Sequence, residues 1–447
     1  MRLPASLRGL PRETFVLSLV AFCVALGFGI VAPAIPLFAK TFGVSSTAAG
    51  AVVSAFALMR FASGLGSGRL VDRVGERSAL VGGIVVVAVS SLLAGLAVSY
   101  PQLLVLRGVG GVGSAVFTIA STSLLLRVAA AAQRGRTQGV YRAGFLLGGI
   151  VGPALGGAVV GVSLRAPFFL YAATLVLAGV AAATLLPAAP RPPAPSSSAA
   201  EGTPAHPETV HPGPIPPGPV DPRPVHPGPA HAEPVAVAAG QDDVPPRPLP
   251  DEEPRTSLAE AVRSSRYRAA LAGNFAVGFS LLGVRSVVVP LLVVDGLGLG
   301  PGWIGAAFVV SALVQTALLL PAGRAVDTVG RRPTLVGGGL LTAVALGGLA
   351  FATGPVTLMA GMTAFGAGAA VLGVAPAALV GDVVRGKGGT AVAVWQMASD
   401  LGSILGPLAA GLLIDHASFE AALLVSATVV GVCGLLGLTL PRDEALA

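Results

Sequence analysis

Charged side chains are scarce in this sequence. They make up 11% of its 447 residues, whereas a soluble globular protein carries about 25%. Hydrophobic residues make up 53%, and a water-soluble core could not absorb this much apolar side chain. The composition therefore excludes an ordinary soluble domain and predicts a protein that crosses a membrane several times.

Cysteine and the common catalytic motifs are also missing or rare. Cys23 and Cys433 lie far apart inside apolar runs, so neither a disulfide nor a metal pair is expected. The chain has no H-E-x-x-H, no phosphate-binding G-x4-G-K-[ST] and no G-x-S-x-G in a strand–turn setting. We therefore expect no metal, no cofactor and no enzymatic activity, and the missing P-loop argues against direct use of ATP by this chain.

Long apolar runs are what the sequence has in abundance. Each of twelve runs is long enough to span about 30 Å of hydrocarbon at about 1.5 Å per residue, and lipid requires such spans to be helical. The predicted spans are residues 14–38, 46–70, 79–98, 102–127, 138–162 and 166–187, then 268–293, 302–326, 334–353, 356–382, 390–415 and 418–440. We predict an all-α membrane protein with six-helix bundles at 1–187 and 263–447.

Proline and histidine concentrate between the two groups of spans. Residues 188–262 hold 21 of the 37 prolines and four of the five histidines. Proline removes helical hydrogen bonds, and little here could form a core, so we predict a disordered or polyproline-like linker. Metal binding by His206, His211, His226 and His231 is the alternative, but their irregular spacing favours solvated low-complexity sequence.

The basic residues orient the predicted bundle. The net charge is +7, yet the basic residues punctuate the ends of apolar runs instead of forming one patch. This pattern indicates membrane topology and not nucleic-acid binding. If the N-terminus is inside, the outer loops carry only Lys40 and Arg165 as basic residues. The positive-inside rule then places both termini and the linker in the cytoplasm, in an inner or plasma membrane.

One charged decapeptide occurs twice. Residues 68–77 read GRLVDRVGER and residues 323–332 read GRAVDTVGRR, 255 positions apart, and each follows the second span of its half. The duplication predicts tandem six-helix halves around a central path, as in one class of secondary transporters. The residues of this predicted gate are Gly68, Asp72, Arg73, Gly75 and Arg77, and in the second copy Gly323, Asp327, Gly330, Arg331 and Arg332.

A glycine pattern marks the fifth span. Its residues fit G-x8-G-x3-G-P-x2-G-G and are Gly139, Gly148, Gly152, Pro153, Gly156 and Gly157. Small residues at this spacing let a neighbouring backbone approach closely in a membrane, and the proline bends the helix. A weaker copy in the eleventh span comprises Gly402, Gly406, Pro407 and Gly411.

With these motifs the chain resembles the major facilitator superfamily, and within it the twelve-helix drug:proton antiporters. The resemblance covers the chain outside the linker, but Glu76 stands where the family prefers a base and Gly110 replaces a Gln in the fourth span. It implies proton-coupled efflux of a small molecule, a drug or a secondary metabolite, by alternating access. It also implies that Asp72 faces the start of helix 11 as a cytoplasmic gate, and that tight packing of helix 5 resists leak.

Charged residues inside predicted spans are expected to face a cavity or a partner. Arg60 lies about 12 Å, and Asp400 about 15 Å, from the inner end of its predicted helix. The family fold sets helices 2 and 11 against each other, so we predict that these two residues form an ion pair that closes the inner side. The alternative is that each faces a polar pocket of its own.

Proton coupling and substrate binding have fewer candidates. Arg107 matches the helix 4 arginine that the family associates with proton coupling, and Asp400 is the only deeply placed acid. The excess arginines could neutralise an anionic substrate, although snorkelling of Arg142 and Arg285 toward the surfaces is favoured. The polar candidates for the substrate path are Gln315, Gln396 and Asn274.

Two other functions remain open at this point. One is a carrier of the same fold that imports or exchanges an organic anion, and the other is a membrane sensor that binds a ligand without transporting it. The expected partners are the lipid bilayer, a small-molecule substrate and protons, with no nucleic acid.

Overall fold

The computed structural model describes residues 10–128, 134–186, 257–384 and 389–441, and all regular structure in these ranges is helical. Within these ranges, twelve helices are long and apolar enough to cross a membrane, which confirms the predicted fold class. In chain order they are α1 Arg12–Lys40, α2 Ser46–Val74, α3 Glu76–Gly95, α4 Tyr100–Val128, α5 Arg134–Val160, α6 Ala166–Leu185, α7 Ser265–Gly296, α8 Gly302–Thr328, α9 Arg331–Ala350, α10 Pro355–Val383, α11 Gly389–His416 and α12 Phe419–Thr439.

Each copy of the decapeptide turns the chain between two helices. Gly75 ends α2 with φ +84°, and Gly330 separates α8 from α9 with φ +107°. Backbone in this left-handed region favours glycine, because a Cβ would clash with the neighbouring carbonyl. The glycine at the eighth place is therefore required by the turn in both copies.

Most of the predicted linker, including its four histidines, lies outside the described residues. Its last part is described and contains a short helix, Leu258–Arg263, which begins five residues before the predicted bundle boundary at 263. The Ser257 hydroxyl accepts a hydrogen bond from the Glu260 amide at 3.2 Å. Serine at the N-cap with glutamate three residues later is a helix-start pattern, and this local signal explains the earlier boundary.

Two membrane helices are irregular. In α1 the helix is interrupted between Val31 and Ala34, next to Pro33. In α7 two π-helical stretches, Gly278–Val284 and Leu292–Gly296, flank the short α-helical segment Arg285–Leu291. Short π-helical stretches inside α-helices are frequent at functional sites.

The two halves repeat the same packing. In the first half α1 packs on α5 and α6, α4 on α2 and α3, and α3 on α6; in the second, α7 packs on α11 and α12, α10 on α8 and α9, and α9 on α12. Equivalent glycines make equivalent contacts. A Cβ on Gly111 would collide with the carbonyl oxygen of Phe56, and a Cβ on Gly366 with that of Ser311. Gly366 follows Gly111 by 255 positions, and Ser311 follows Phe56 by the same 255 positions.

The halves meet mainly along two helix pairs, α2 with α11 and α5 with α8. These two pairs are equivalent in the repeat, because α2 of the first half corresponds to α8 of the second and α5 of the first half corresponds to α11. The helices of both halves belong to one compact unit. Residues on these four helices are therefore placed to connect the halves.

Candidate functional site

The centre of the α2–α11 interface contains an ion pair. Arg60 Nη2 on α2 donates to Asp400 Oδ1 on α11, and the two side chains are 27% and 12% exposed. The structure thus brings together the two residues that the sequence paired. Their position differs from the expectation, because α2 continues to Val74 and Arg60 is its middle residue, about 21 Å from either end. The pair joins the halves at the middle of α2.

Arg107 of α4 lies beside this pair in the first half. Arg107 is 3% exposed, and its Cζ lies 4.7 Å from the centre of the Phe56 ring on α2. This is a cation–π contact. Its Nε is buried and has no hydrogen-bond partner in the described part of the chain. Close packing of Gly111 on the Phe56 carbonyl brings α4 near enough for this contact.

Tyr171 of α6 completes the central cluster, which we define as Arg60, Arg107, Tyr171 and Asp400. Tyr171 is 1% exposed and interacts electrostatically with both arginines. Its ring meets Phe28 edge-on at 6.4 Å between centres. Sequence reasoning missed Tyr171. The available signal was its place as one of four tyrosines, in an otherwise apolar span, where a buried hydroxyl needs a polar neighbour.

A second polar contact joins α2 and α11 near one end of the bundle. Asp415 Oδ1 accepts from the Ser46 amide at 2.8 Å, and its Oδ2 accepts from the amide and the hydroxyl of Thr47, both at 2.7 Å. These amides are unpaired donors at the start of α2, where the helix dipole favours negative charge. A carboxylate of the second half thus caps a helix of the first. No local sequence pattern predicts this cap, because the contact spans 369 positions.

Between Asp415 and Asp400 the same two helices touch continuously. A Cβ on Gly411 would collide with the Ser46 carbonyl, and one on Gly50 with the Pro407 carbonyl. The Ser54 hydroxyl donates to the carbonyl of Ile404 at 2.6 Å. The contact therefore extends along the first half of α2 as far as Arg60.

The α5–α8 interface is tight at the same end of the bundle. A Cβ on Gly157 would collide with the Cα of Gly305. We call this end, which carries the loops at 41–45, 161–165 and 297–301, the closed end. Beyond the middle of α2, a Cβ on Gly64 or Gly66 would meet no atom within 4 Å. Close contacts between the halves therefore run from the closed end to the central cluster.

The other glycines of the predicted α5 pattern have a different partner. Gly148, Gly152 and Gly156 pack on backbone carbonyls of α1, and Gly29 of α1 packs on Pro153. These contacts lie within the first half and only Gly157 reaches the second. Gly139 differs, because a Cβ there would meet no atom within 4 Å.

The last residues of each decapeptide are the first residues of a helix, α3 or α9. In both copies an ion pair joins this helix start to the end of the following helix, α4 or α10. Arg127 Nη2 of α4 lies 2.7 Å from Glu76 Oε2 of α3. Arg331 Nε of α9 lies 3.0 Å from Asp382 Oδ2 of α10. Glu76 and Arg331 are 255 positions apart, as are Arg127 and Asp382, so the second half repeats the pair with both signs inverted. Inversion explains why Glu76 departs from the family's preference for a base.

The remaining decapeptide residues lie at the end opposite the closed end. Asp72 and Arg73 are exposed, and Asp72 has no ion-pair or hydrogen-bond partner among the described residues, so the implied contact with the start of α11 is not made there. Asp327 lies 3.8 Å from Arg331. Arg77 donates to the Ala183 carbonyl at the end of α6. The other members of the predicted gate lie in open or half-buried positions and are Gly68, Gly323 and Arg332.

The structure separates the two arginines for which snorkelling was favoured. Arg142 is exposed on α5. Arg285 of α7 instead lies between two aromatic rings, with Cζ 5.1 Å from the centre of Phe308 and 5.6 Å from that of Phe365. For Arg285 the snorkelling interpretation is wrong, since ring faces on α8 and α10 hold the guanidinium inside the bundle.

The polar candidates for the substrate path also divide. Gln315 is half-buried on α8 and Gln396 is exposed on α11, and within the described residues neither side chain is hydrogen-bonded. Asn274 is buried, and its Nδ2 donates to the Trp395 carbonyl at 2.7 Å. Asn274 therefore connects α7 to α11, and the two glutamines remain available to a ligand.

Comparison with known proteins gives matches to both halves and to the whole fold. The sequence model described as Major Facilitator Superfamily matches residues 17–284 and 270–446. Multidrug resistance protein 2 of Bacillus subtilis is 31% identical over 37% of this chain, and the quinolone resistance protein NorA of Staphylococcus aureus strain MRSA252 is 29% identical over 39%. The chain spans less than half the length of these curated relatives, 41% and 45%.

Solved structures are similar over nearly all of the chain. A bacterial homologue of the human lysosomal transporter Spinster, inward-facing and unoccupied, has a TM-score of 0.67, 15% identity and 95% coverage of both chains. The human organic anion transporter MFSD10 has a TM-score of 0.62 and 16% identity, with 96% of this chain and 100% of that chain covered. At such identities the likeness shows the fold. With the family match to both halves, it establishes that this chain, a multi-pass membrane protein, belongs to the Major Facilitator Superfamily.

Proposed function

We propose that this protein exports a small molecule in exchange for protons by alternating access. The observation that carries the proposal is the α2–α11 contact, which runs from Asp415 at the closed end to the Arg60–Asp400 pair in the middle of α2. An interface that is tight over one half of its length suits two bodies that rock about their centre. Similarity to drug resistance proteins supports a drug or a secondary metabolite as the cargo.

Asp400 is the proton carrier in this mechanism. A proton on its carboxylate removes the negative charge that holds Arg60, so that protonation and separation of α2 from α11 favour each other. Coupling between two such events is reciprocal: if the proton promotes opening, opening promotes proton binding. Arg107 and Tyr171 surround Arg60 and keep its position in the first half when Asp400 moves away. Arg60, Arg107 and Asp400 then couple protons to transport, with Gln315 and Gln396 along the substrate path.

The moving bodies are residues 1–187 and 263–447, joined by the proline-rich segment 188–262. We place both termini, this segment and both decapeptides in the cytoplasm, because the loops at that side carry most of the basic residues. The closed end then faces away from the cytoplasm, and the state described here is inward-open. In the outward-open state Asp72 would engage α11 while Asp415 releases α2.

The experiment is transport by the purified full-length protein in liposomes with an imposed pH gradient. A fluorescent quinolone serves as the cargo and an enclosed pH dye reports protons. We expect quinolone and proton fluxes in opposite directions, and loss of the coupled proton flux in Asp400→Asn. Arg142→Gln, which removes a charge from an exposed position, is the matched control. Quinolone flux that ignores the gradient would refute proton coupling, and binding without flux would refute transport.

The second candidate function is exchange of organic anions by the same fold. The observation that favours it is the presence of two buried guanidinium Nε atoms, on Arg107 and Arg285, without hydrogen-bond partners among the described residues. The same liposomes distinguish the two functions, because an anion exchanger moves labelled anion against internal anion without a pH gradient.

A further inference from the structure

Arg285 has no counter-ion in the described part of the chain. It makes no ion pair or hydrogen bond there, and its Nε is enclosed by protein. A guanidinium withdrawn from water without a carboxylate partner is unfavourable. The fold nevertheless keeps this charge in the interior of the second half.

Two phenylalanines form the walls around the guanidinium. Phe308 of α8 is 2% exposed and Phe365 of α10 is 0% exposed, so both rings are held rigidly by packing. Ring faces within about 6 Å attract a cation but offer no hydrogen-bond acceptor comparable to a carboxylate. The walls therefore stabilise the charge partly and leave its donors unsatisfied.

The position of Arg285 directs it toward the interior of the bundle. Its ring partners lie on α8 and α10, and α8 is the helix that contacts the first half through α5. The π-helical stretch Gly278–Val284 ends directly before Arg285 and shifts its direction relative to the preceding α-helix. On an α7 that is otherwise mostly buried, Arg285 is half-accessible.

We propose that Arg285, held in place by Phe308 and Phe365, is a subsite for a carboxylate of the transported molecule. The carboxylate pairs with the terminal nitrogens of the guanidinium in two parallel hydrogen bonds. This inference rests on the proposed transport function, since it names the chemical class of the cargo. It differs from the Arg60–Asp400 pair, which is neutral as a unit and needs no anion.

The test is equilibrium binding to the purified full-length protein in detergent by calorimetry. The probes are 2-naphthoate, its neutral amide 2-naphthamide and the cation 2-naphthylmethylammonium. We expect wild type to bind the carboxylate at least tenfold more tightly than the amide, as hydrogen bonds to charged groups imply, and the cation most weakly. Arg285→Gln should abolish the preference while leaving amide binding unchanged, and Arg142→Gln should keep it.

Every other result would overturn the subsite. Equal binding of carboxylate and amide by wild type, absence of binding of all three, or a preference that survives Arg285→Gln would each do so. Amide binding by Arg285→Gln shows that the variant is folded; if it does not fold, the wild-type preference and its loss in Phe308→Ala decide the matter. This experiment measures binding and involves neither a gradient nor flux. Its outcome can therefore be told apart from a failure of proton-coupled export in liposomes.

Discussion

Asp415 at the end of α11 caps the start of α2 by accepting the backbone N–H of Ser46. The two residues come from different halves, so this hydrogen bond exists only while the closed end is closed. It is a stronger link than a neutral contact, because a carboxylate meets the positive end of a helix dipole.

Removal of the Asp415 carboxylate should open the closed end. Hydrogen bonds to a charged group contribute about 1.5–3 kcal/mol, so Asp415→Ala should shift the equilibrium between the two states by roughly tenfold or more. Spin labels on Val162→Cys and Phe351→Cys, both exposed in loops at this end, would report the shift by double electron–electron resonance in protein without Cys23 and Cys433. Asp295→Asn removes another exposed acid, at the end of α7, and should leave the distances unchanged. A distance distribution identical to wild type in Asp415→Ala would contradict this role.

The central pair should govern both stability and coupling. Asp400→Asn leaves Arg60 mostly buried without its counter-ion, which we expect to destabilise the protein by about 3 kcal/mol, the lower end for a broken buried pair given the partial exposure of Arg60. Thermal unfolding in detergent measures this. Exchange of the two charges in Arg60→Asp with Asp400→Arg should recover part of the stability, and an additive loss in the double variant would show that the pair is not coupled.

Glycines of the α5 pattern should fall into three classes. Gly157→Ala collides with Gly305 across the halves, so it should fold normally and lose transport. Gly148→Ala collides with the α1 backbone inside one half and should reduce the yield of folded protein. Gly139→Ala has open space and should behave as wild type. Size-exclusion profiles and transport in liposomes separate the classes, and normal transport by Gly157→Ala would exclude closure through α5 and α8.

The inverted ion pairs should tolerate exchange of their signs. Glu76→Arg and Arg127→Asp each place like charges together, and each should lower stability by about 0.5–1 kcal/mol, as for partly exposed pairs. The double variant reproduces the arrangement of Arg331 and Asp382 and should be close to wild type. A double-mutant cycle of melting temperatures measures the coupling, and the absence of any recovery would show that Glu76 and Arg127 do not interact.

Features that the bilayer dictates could be predicted from sequence. Span length and apolarity follow from hydrocarbon thickness, so the twelve helices were found within a few residues. The duplicated decapeptide revealed the tandem halves because its glycines and charges stand out against an apolar background. Arg60 and Asp400 were paired because each is a rare charge at a similar depth, and because the family resemblance sets helices 2 and 11 against each other.

Features that depend on which faces meet could not be predicted. The environment of Arg285 is set by Phe308 and Phe365, and phenylalanine in an apolar span carries no signal of its own. The Asp415 cap requires two helix ends from different halves to coincide. The depth of Arg60 was misjudged because α2 continues past the apolar run to Val74. The last turns of this helix are polar, so hydropathy did not mark its end.

The opposite polarity of the two α3–α4 and α9–α10 ion pairs also guards against exchange between duplicated segments. Two halves with the same helix order could insert with a helix of one docked in the place of its counterpart. In that arrangement Glu76 would face Asp382 and Arg331 would face Arg127, and both encounters are repulsive. Charge thereby matches each of these helices to its own neighbour in the hairpin and disfavours its counterpart from the other half.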